Sequence, residues 1–261
     1  MTIKDIAGLL ESVAPIHLQE SYDNAGLIVG HPDTVVTGIL FSLDAIESIV
    51  EEAVSKGCNL VISHHPIVFR GLKRFNGTNY VERTVIKAIQ KGVALYAIHT
   101  NLDNVLHRGV NERIAQRLGL ENVAVLLPKP GITGIGAGAI GELPVAVDEN
   151  LFLQHLKTTM LAQCVRHTAL REKPVKKVAV CGGSGSFLLP EALKAEADVF
   201  VTADFKYHEF FDAENRLIIC DIGHFESEQF TIELLFEIIY EKYPNFALHL
   251  TSQKTNPINY C

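Results

Sequence analysis

Short apolar runs alternate with amphipathic segments through the first hundred residues, and this alternation does most to limit the fold. "TGILFSLD", "CNLVISHHP" and "VALYAIHTNLD" are rich in strand-forming residues. Between them lie "AIESIVEEAVSKG" and "YVERTVIKAIQKG", with apolar residues at helical spacing and closing glycines at Gly57 and Gly92. A strand that is apolar on both faces must be covered on both, and helical crossovers supply the cover, so the pattern predicts parallel βαβ units. "MTIKDIAGLLESV" adds a leading helix capped by Thr2.

The composition then shifts. "LLPKPGITGIGAGAIGELPVAV" reads as a linker running into a strand of a second unit. Its "GAGAIG" matches the dinucleotide fingerprint in form only, because "ELPVAV", with Pro144, follows where a helix would have to start. The second half repeats the grammar of the first. "VKKVAVCGGSG", "DVFVTADFKYHEF" and "RLIICDIGHFESE" read as strands ending in glycine or polar groups, and "SFLLPEALKAEA" turns helical in its later part. By element order, Ser63–His64–His65 corresponds to Thr202–Ala203–Asp204, and His99 to Asp103 corresponds to Asp221 to Glu228. The expected fold is α/β: two similar α/β domains around a central cleft. Ser227 to Tyr243 reads as the last helix, and "FALHLTSQ" as a strand able to rejoin the first sheet.

At 261 residues the chain suits one large domain or two small ones. A net charge of −7 disfavours nucleic acid and anionic membranes as partners. The start lacks the basic and apolar regions of a secretion signal, and no apolar run is long enough to span a bilayer. The five cysteines are odd in number and show no CxxC pair, as expected of free thiols in a reducing compartment, so a cytoplasmic location is expected.

Ligands of parallel sheets gather beyond the carboxyl ends of the strands. His64, His65, His99, Asp103, His224 and Glu228 are all expected there, with His224 and Glu228 spaced to share one helix face. Each has a bland alternative: a polar turn for the histidine pair, an Asx turn for Asp103, a helix cap and first-turn carboxylate for His224 and Glu228. Those alternatives would all have to hold at once. The mixed nitrogen and oxygen set suits zinc, iron, manganese, cobalt or nickel, and it is larger than one catalytic metal takes, so it points to two divalent cations. "CGGSG", Cys181 to Gly185, could cradle a phosphate or make a tight turn, and it lacks the lysine of a P-loop. In "TADFKYHE", Lys206 could neutralise a phosphate and His208 could move protons, or the stretch is a solvated turn.

"YDNAGLIVG", "SLDA", "SHHPIVF", "HTNLDN", "TADFKYH" and "DIGHFESE" occur in an order that resembles the Nif-three-like family, whose bacterial members carry the label GTP cyclohydrolase I type 2 homologue. The resemblance spans nearly the whole chain. It implies metal ligands at His64, His65, Asp103, His224 and Glu228, with His99 as a neighbour. It also implies a first domain of residues 1–125 plus 222–261, a second of 126–221 inserted in it, and a ring-shaped homohexamer. Tyr22 stands where the family usually has tryptophan, and Ala203 where it usually has glycine. The function expected is a metal-dependent hydrolase acting on a nucleotide or other phosphate-containing small molecule, with His99 or His208 as proton shuttle. The alternative is a non-catalytic metal-handling or regulatory scaffold.

Overall fold

A computed structural model describes all of residues 1–261. The chain divides into two compact units, Met1–Leu102 with Thr231–Pro257, and Asp103–Phe230 with Ile258–Cys261. Both are mixed α/β, and the second is an insertion in the first.

In the first unit, helix α1 (Ile3–Val13) opens on the expected cap, with Thr2 and Asp5 forming a capping box. The sheet runs β1-β4-β3-β2-β11, from β1 (Gly26–Val29), β2 (Ile39–Ser42), β3 (Leu60–Ser63), β4 (Ala94–Ala97) and β11 (Leu248–Leu250). β1 pairs antiparallel and the rest pair parallel. Every residue of β2, β3 and β4 is buried, as two-sided cover requires. The crossovers are α2 (Glu47–Ser55) and α3 (Tyr80–Lys91), and Gly92 ends α3 in the left-handed conformation at φ 67°. Leu40, Ile49, Val50, Val61, Val85 and Leu95 form the core beneath them. Helix α9 (Thr231–Lys242) sets Phe236 edge-on to Phe41 of β2, with ring centroids 5.8 Å apart.

Helix α4 (Thr100–Asp103) follows β4, and α5 (Val110–Leu118) follows that. The second unit's sheet runs β5-β6-β8-β9-β10-β7, from β5 (Glu121–Pro128), β6 (Gly136–Val147), β7 (Arg166–His167), β8 (Val175–Ser184), β9 (Val199–Ala203) and β10 (Ile218–Asp221). Only β8, β9 and β10 are mutually parallel, while β5, β6 and β7 pair antiparallel. The stretch expected to be a linker is therefore a hairpin, and "GAGAIG" lies inside strand β6. Gly136 shows why glycine is required there: a Cβ would stand 2.2 Å from the Leu127 carbonyl oxygen of the paired strand. The remaining helices are α6 (Glu149–Thr159), α7 (Leu189–Lys194) and α8 (His224–Glu228).

The chain leaves the first unit after Leu102, and returns to it after Phe230, rather than near residues 125 and 221. The reason is packing: α5 lies on β6 and β8, and α8 lies on β8 and β9. No helix is long and apolar enough to cross a membrane.

Candidate metal centre

β3 ends at Ser63, and the next two residues carry the histidine pair. Their backbone is tied to the end of the neighbouring strand: His64 N–H donates to the Ser42 carbonyl at 3.3 Å, and His65 N–H to that of Leu43 at 2.9 Å. The Ser63 hydroxyl donates to the His65 carbonyl at 2.8 Å. With Pro66 disfavouring helical angles at His65, the chain turns here instead of coiling. The strand thus delivers both imidazoles at its carboxyl end.

His99 stands at the end of the adjacent strand β4. The ligand nitrogens of His64, His65 and His99 all lie within 4.8 Å of one another. Each ring is fixed through Nδ1. For His64 the partner is the Ile98 carbonyl oxygen at 2.8 Å, which requires Nδ1 to carry the proton. For His65 it is Asp44 Oδ1 at 2.8 Å, and Thr255 Oγ1 donates to the other oxygen of that carboxylate at 2.5 Å. For His99 it is Asp23 Oδ1 at 2.8 Å. Asp23 also accepts the N–H groups of Asn24 and Thr100 and the Thr100 hydroxyl. Burial works against its charge, but the hydrogen bonds from His99 and Thr100 prevail and hold the carboxyl well below its usual range. Anchoring through Nδ1 makes Nε2 the nitrogen that a cation would take.

The second unit gathers its own donors. α8 presents His224 and Glu228 one turn apart, with Nε2 and Oε2 at 3.1 Å. Asp103, at the end of α4, has its carboxylate within 4.8 Å of that of Glu228. His224 Nδ1 is held by Asp204 Oδ2 at 2.7 Å, and Ser184 Oγ donates to the same oxygen at 2.5 Å. Asp204 takes the left-handed conformation, φ 59°, just past β9. Burial opposes a charged His224, but the adjacent Glu228 carboxylate and the Asp204 hydrogen bond override it and push the pKa up to about 11.

The glycine-rich stretch serves this cluster. β8 continues through it to Ser184, so it is neither a phosphate cradle opening a helix nor a free turn. A Cβ on Gly183, whose φ is +61°, would stand 2.5 Å from Glu228 Oε1 and 3.2 Å from His224 Cε1. The glycines are the space in which the α8 donors sit. Cys181, beside them, is buried, and burial together with the Asp103 and Glu228 carboxylates pushes its thiol pKa far up, which removes it as a nucleophile.

The six residues singled out at strand ends divide between the units: His64, His65 and His99 in the first, and Asp103, His224 and Glu228 in the second, where Glu228 lies near both of the others. His208 joins neither set of donors; its ring lies against Tyr207 and Phe211, at 5.1 and 6.4 Å between centroids. Sequence reasoning gave no role to the supporting carboxylates Asp23 and Asp44. Their only signal was position, inside "YDNAG" and "SLDA".

The profile of the Duf34/NIF3 (NGG1p interacting factor 3) family matches residues 1–257. The chain belongs to this family. A Clostridium perfringens protein named GTP cyclohydrolase 1 type 2 homolog is 33% identical over 87% of each chain. A Lactococcus lactis protein of the same name is 32% identical over 98% of each. Among solved structures of Duf34/NIF3-like fold, that of a Staphylococcus aureus hypothetical protein has a TM-score of 0.93 at 28% identity, covering 100% of this chain and 99% of that one. A Bacillus cereus protein related to NIF3 gives 0.91 at 25% identity, with the same coverage. The Duf34/NIF3 assignment agrees with the resemblance carried by the histidine-pair and "GHFESE" segments.

Proposed function

We propose that this chain is a metal-dependent hydrolase acting on a nucleotide or phosphoester, in which His64, His65, Asp103, His224 and Glu228 together hold two divalent cations. The observation that carries the reading is the common anchoring of the histidines. His64, His65 and His224 each engage Nδ1 with a carbonyl or carboxylate, the support that metal-bound imidazoles need for orientation and basicity. The donor set fits zinc, iron, manganese, cobalt or nickel better than the oxygen-only cations. Two such cations, when bound, supply Lewis acidity and a water acidic enough to attack at neutral pH.

The chain's own residues supply the rest. Asp44, Asp204 and the Ile98 carbonyl orient the imidazoles. Gly183 leaves room for Glu228. His99, held by Asp23 beside His64 and His65, is assigned to moving a proton at Nε2, a role for which it is better placed than His208. The names of the relatives favour GTP cyclohydrolase-like or phosphoesterase chemistry. A cytoplasmic homohexamer is part of the same proposal and rests on family membership. The second reading, a metal-handling scaffold, is favoured by one observation: the two donor groups themselves contain nothing that would read a base.

Metal analysis of the purified protein against Asp103→Ala and His65→Ala, with turnover of a nucleotide and phosphodiester panel, separates these readings. The expected result is about two transition-metal ions per chain, and metal and turnover lost together in both variants. Less than one ion per chain after incubation with excess metal overturns the metal site. Full metal without turnover overturns the hydrolase and leaves the scaffold.

A further inference from the structure

The loop between β3 and α3 is a cationic stretch of an acidic chain. From His64 to Tyr80 it carries Arg70, Lys73 and Arg74 and no carboxylate, against a net charge of −7 for the whole. It is tied down at both ends. Asn24 Nδ2 donates to the Val68 carbonyl at 2.6 Å. At the other end the buried Glu82 carboxylate accepts the N–H groups of Asn76 and Thr78 at 3.3 and 2.9 Å. Midway, Leu72 packs on the core between sheet and crossover helices. Between these ties the tip "FRGLKRF" exposes both its phenylalanines, Phe69 at 50% and Phe75 at 57%, and all three cations between them. Phe69 also lies edge-on to His99, with centroids 5.6 Å apart, so the tip starts at the histidine cluster.

Two exposed phenyl rings framing three cations match what a nucleotide offers, a flat ring and clustered phosphates. Aromatic faces stack on any base, and arginine meets phosphate with paired donors. Because the tip is pinned, little ordering is lost on binding. The overall negative field works against a long polyanion but not against a few phosphates held locally. We propose that this tip recognises a nucleoside phosphate, its phosphates on Arg70, Lys73 and Arg74 and its base on Phe69 or Phe75. It thereby presents the ligand at the histidine cluster. Binding itself needs no metal, whereas hydrolysis of the bound nucleotide rests on the proposed metal-dependent activity.

The test titrates GTP, ATP, guanosine, tripolyphosphate and a single-stranded oligonucleotide onto the metal-loaded protein. The same series is run on Arg70→Ala/Lys73→Ala/Arg74→Ala and on Phe69→Ala/Phe75→Ala, with bound metal measured in every preparation. GTP or ATP is expected to bind more tightly than guanosine or tripolyphosphate. The triple variant should weaken that binding by about tenfold or more and flatten its salt dependence. The double variant should bring nucleotide affinity down toward that of tripolyphosphate, with metal content unchanged in both. Nucleotide affinity indifferent to the triple substitution, no nucleotide binding at all, or binding confined to the oligonucleotide overturns the proposal. Metal retained without nucleotide binding defeats the tip and spares the metal site. Nucleotide bound without metal does the reverse.

Discussion

Asp23, whose side chain is wholly buried, holds His99 Nδ1 at 2.8 Å and does so from a turn that no strand end predicts. It accepts the Asn24 and Thr100 N–H groups as well, so its charge is stabilised by donors on two separate segments. Asp23→Asn replaces an acceptor with a group that cannot satisfy all of them. The expected cost is about 1–3 kcal/mol of stability, from the buried donors left unmatched, read by denaturant unfolding. An unchanged midpoint would show that those donors find other partners.

Asp44 and Asp204 stand to His65 and His224 as Asp23 stands to His99. Asp44→Asn and Asp204→Asn are expected to weaken metal binding by about 10–100-fold while leaving the fold intact, since neither carboxylate is itself a proposed ligand. Competition with a chromophoric chelator measures this directly. Equal affinities in wild type and variants would remove the orienting role.

Gly183→Ala tests the α8 pocket without touching a donor. The new methyl would meet Glu228 Oε1 at 2.5 Å, in a conformation, φ +61°, that alanine resists. Metal content should fall as it does for Glu228→Ala, while the far-ultraviolet spectrum stays that of the wild type. Full metal content would show that Glu228 can give way and still bind.

Glu52 of α2 is buried and accepts the N–H and hydroxyl of Ser252 at 2.9 Å each, together with the Thr251 hydroxyl. It therefore locks the segment after β11 onto the first unit. Glu52→Ala is expected to destabilise the protein by about 1–3 kcal/mol and to speed amide exchange in β11 before β3 and β4. Uniform exchange rates across the sheet would contradict a local lock.

Asp198 is one carboxylate through which acid would destabilise the second unit. Burial disfavours its charge, but the Lys177 and Lys176 N–H groups and Arg171, at 3.0 Å, hold the carboxyl below its usual range. A depressed folded pKa gives stability that is present above the unfolded value, about 3.9, and is lost as pH falls through the folded one. Asp198→Asn should lower stability at pH 7 and flatten its decline below about pH 4. Parallel pH profiles for wild type and variant would exclude this carboxylate as the source.

The strand ends and their donors were legible because they are local facts: an apolar run, then a histidine or carboxylate at a fixed offset. The parallel trios and the return of the tail as β11 come from the same patterning. What was not legible depends on approach through space. The Gly182–Gly183 pair looks like a turn or a phosphate loop until Glu228 is seen filling the place of a Cβ. The β5–β6 hairpin hides in a run whose glycines and prolines mimic a linker. Helix α5 did leave a trace, with Gly109 and Gly119 flanking Val110, Ile114 and Leu118. It is the helix whose packing moved the boundary between the units.

The sheet order β1-β4-β3-β2-β11 has a consequence for how the protein is made. β2 is finished early in translation, yet its partner β11 emerges only after residues 103–230 of the second unit and α9. Until then one side of β2 is an open edge, the kind of surface that invites pairing with another chain. The inserted unit has all but its last four residues in hand by then and can fold first. A nascent chain whose emerged part stops just short of residue 248 would therefore have every strand of the second sheet available and a first sheet still missing its final strand.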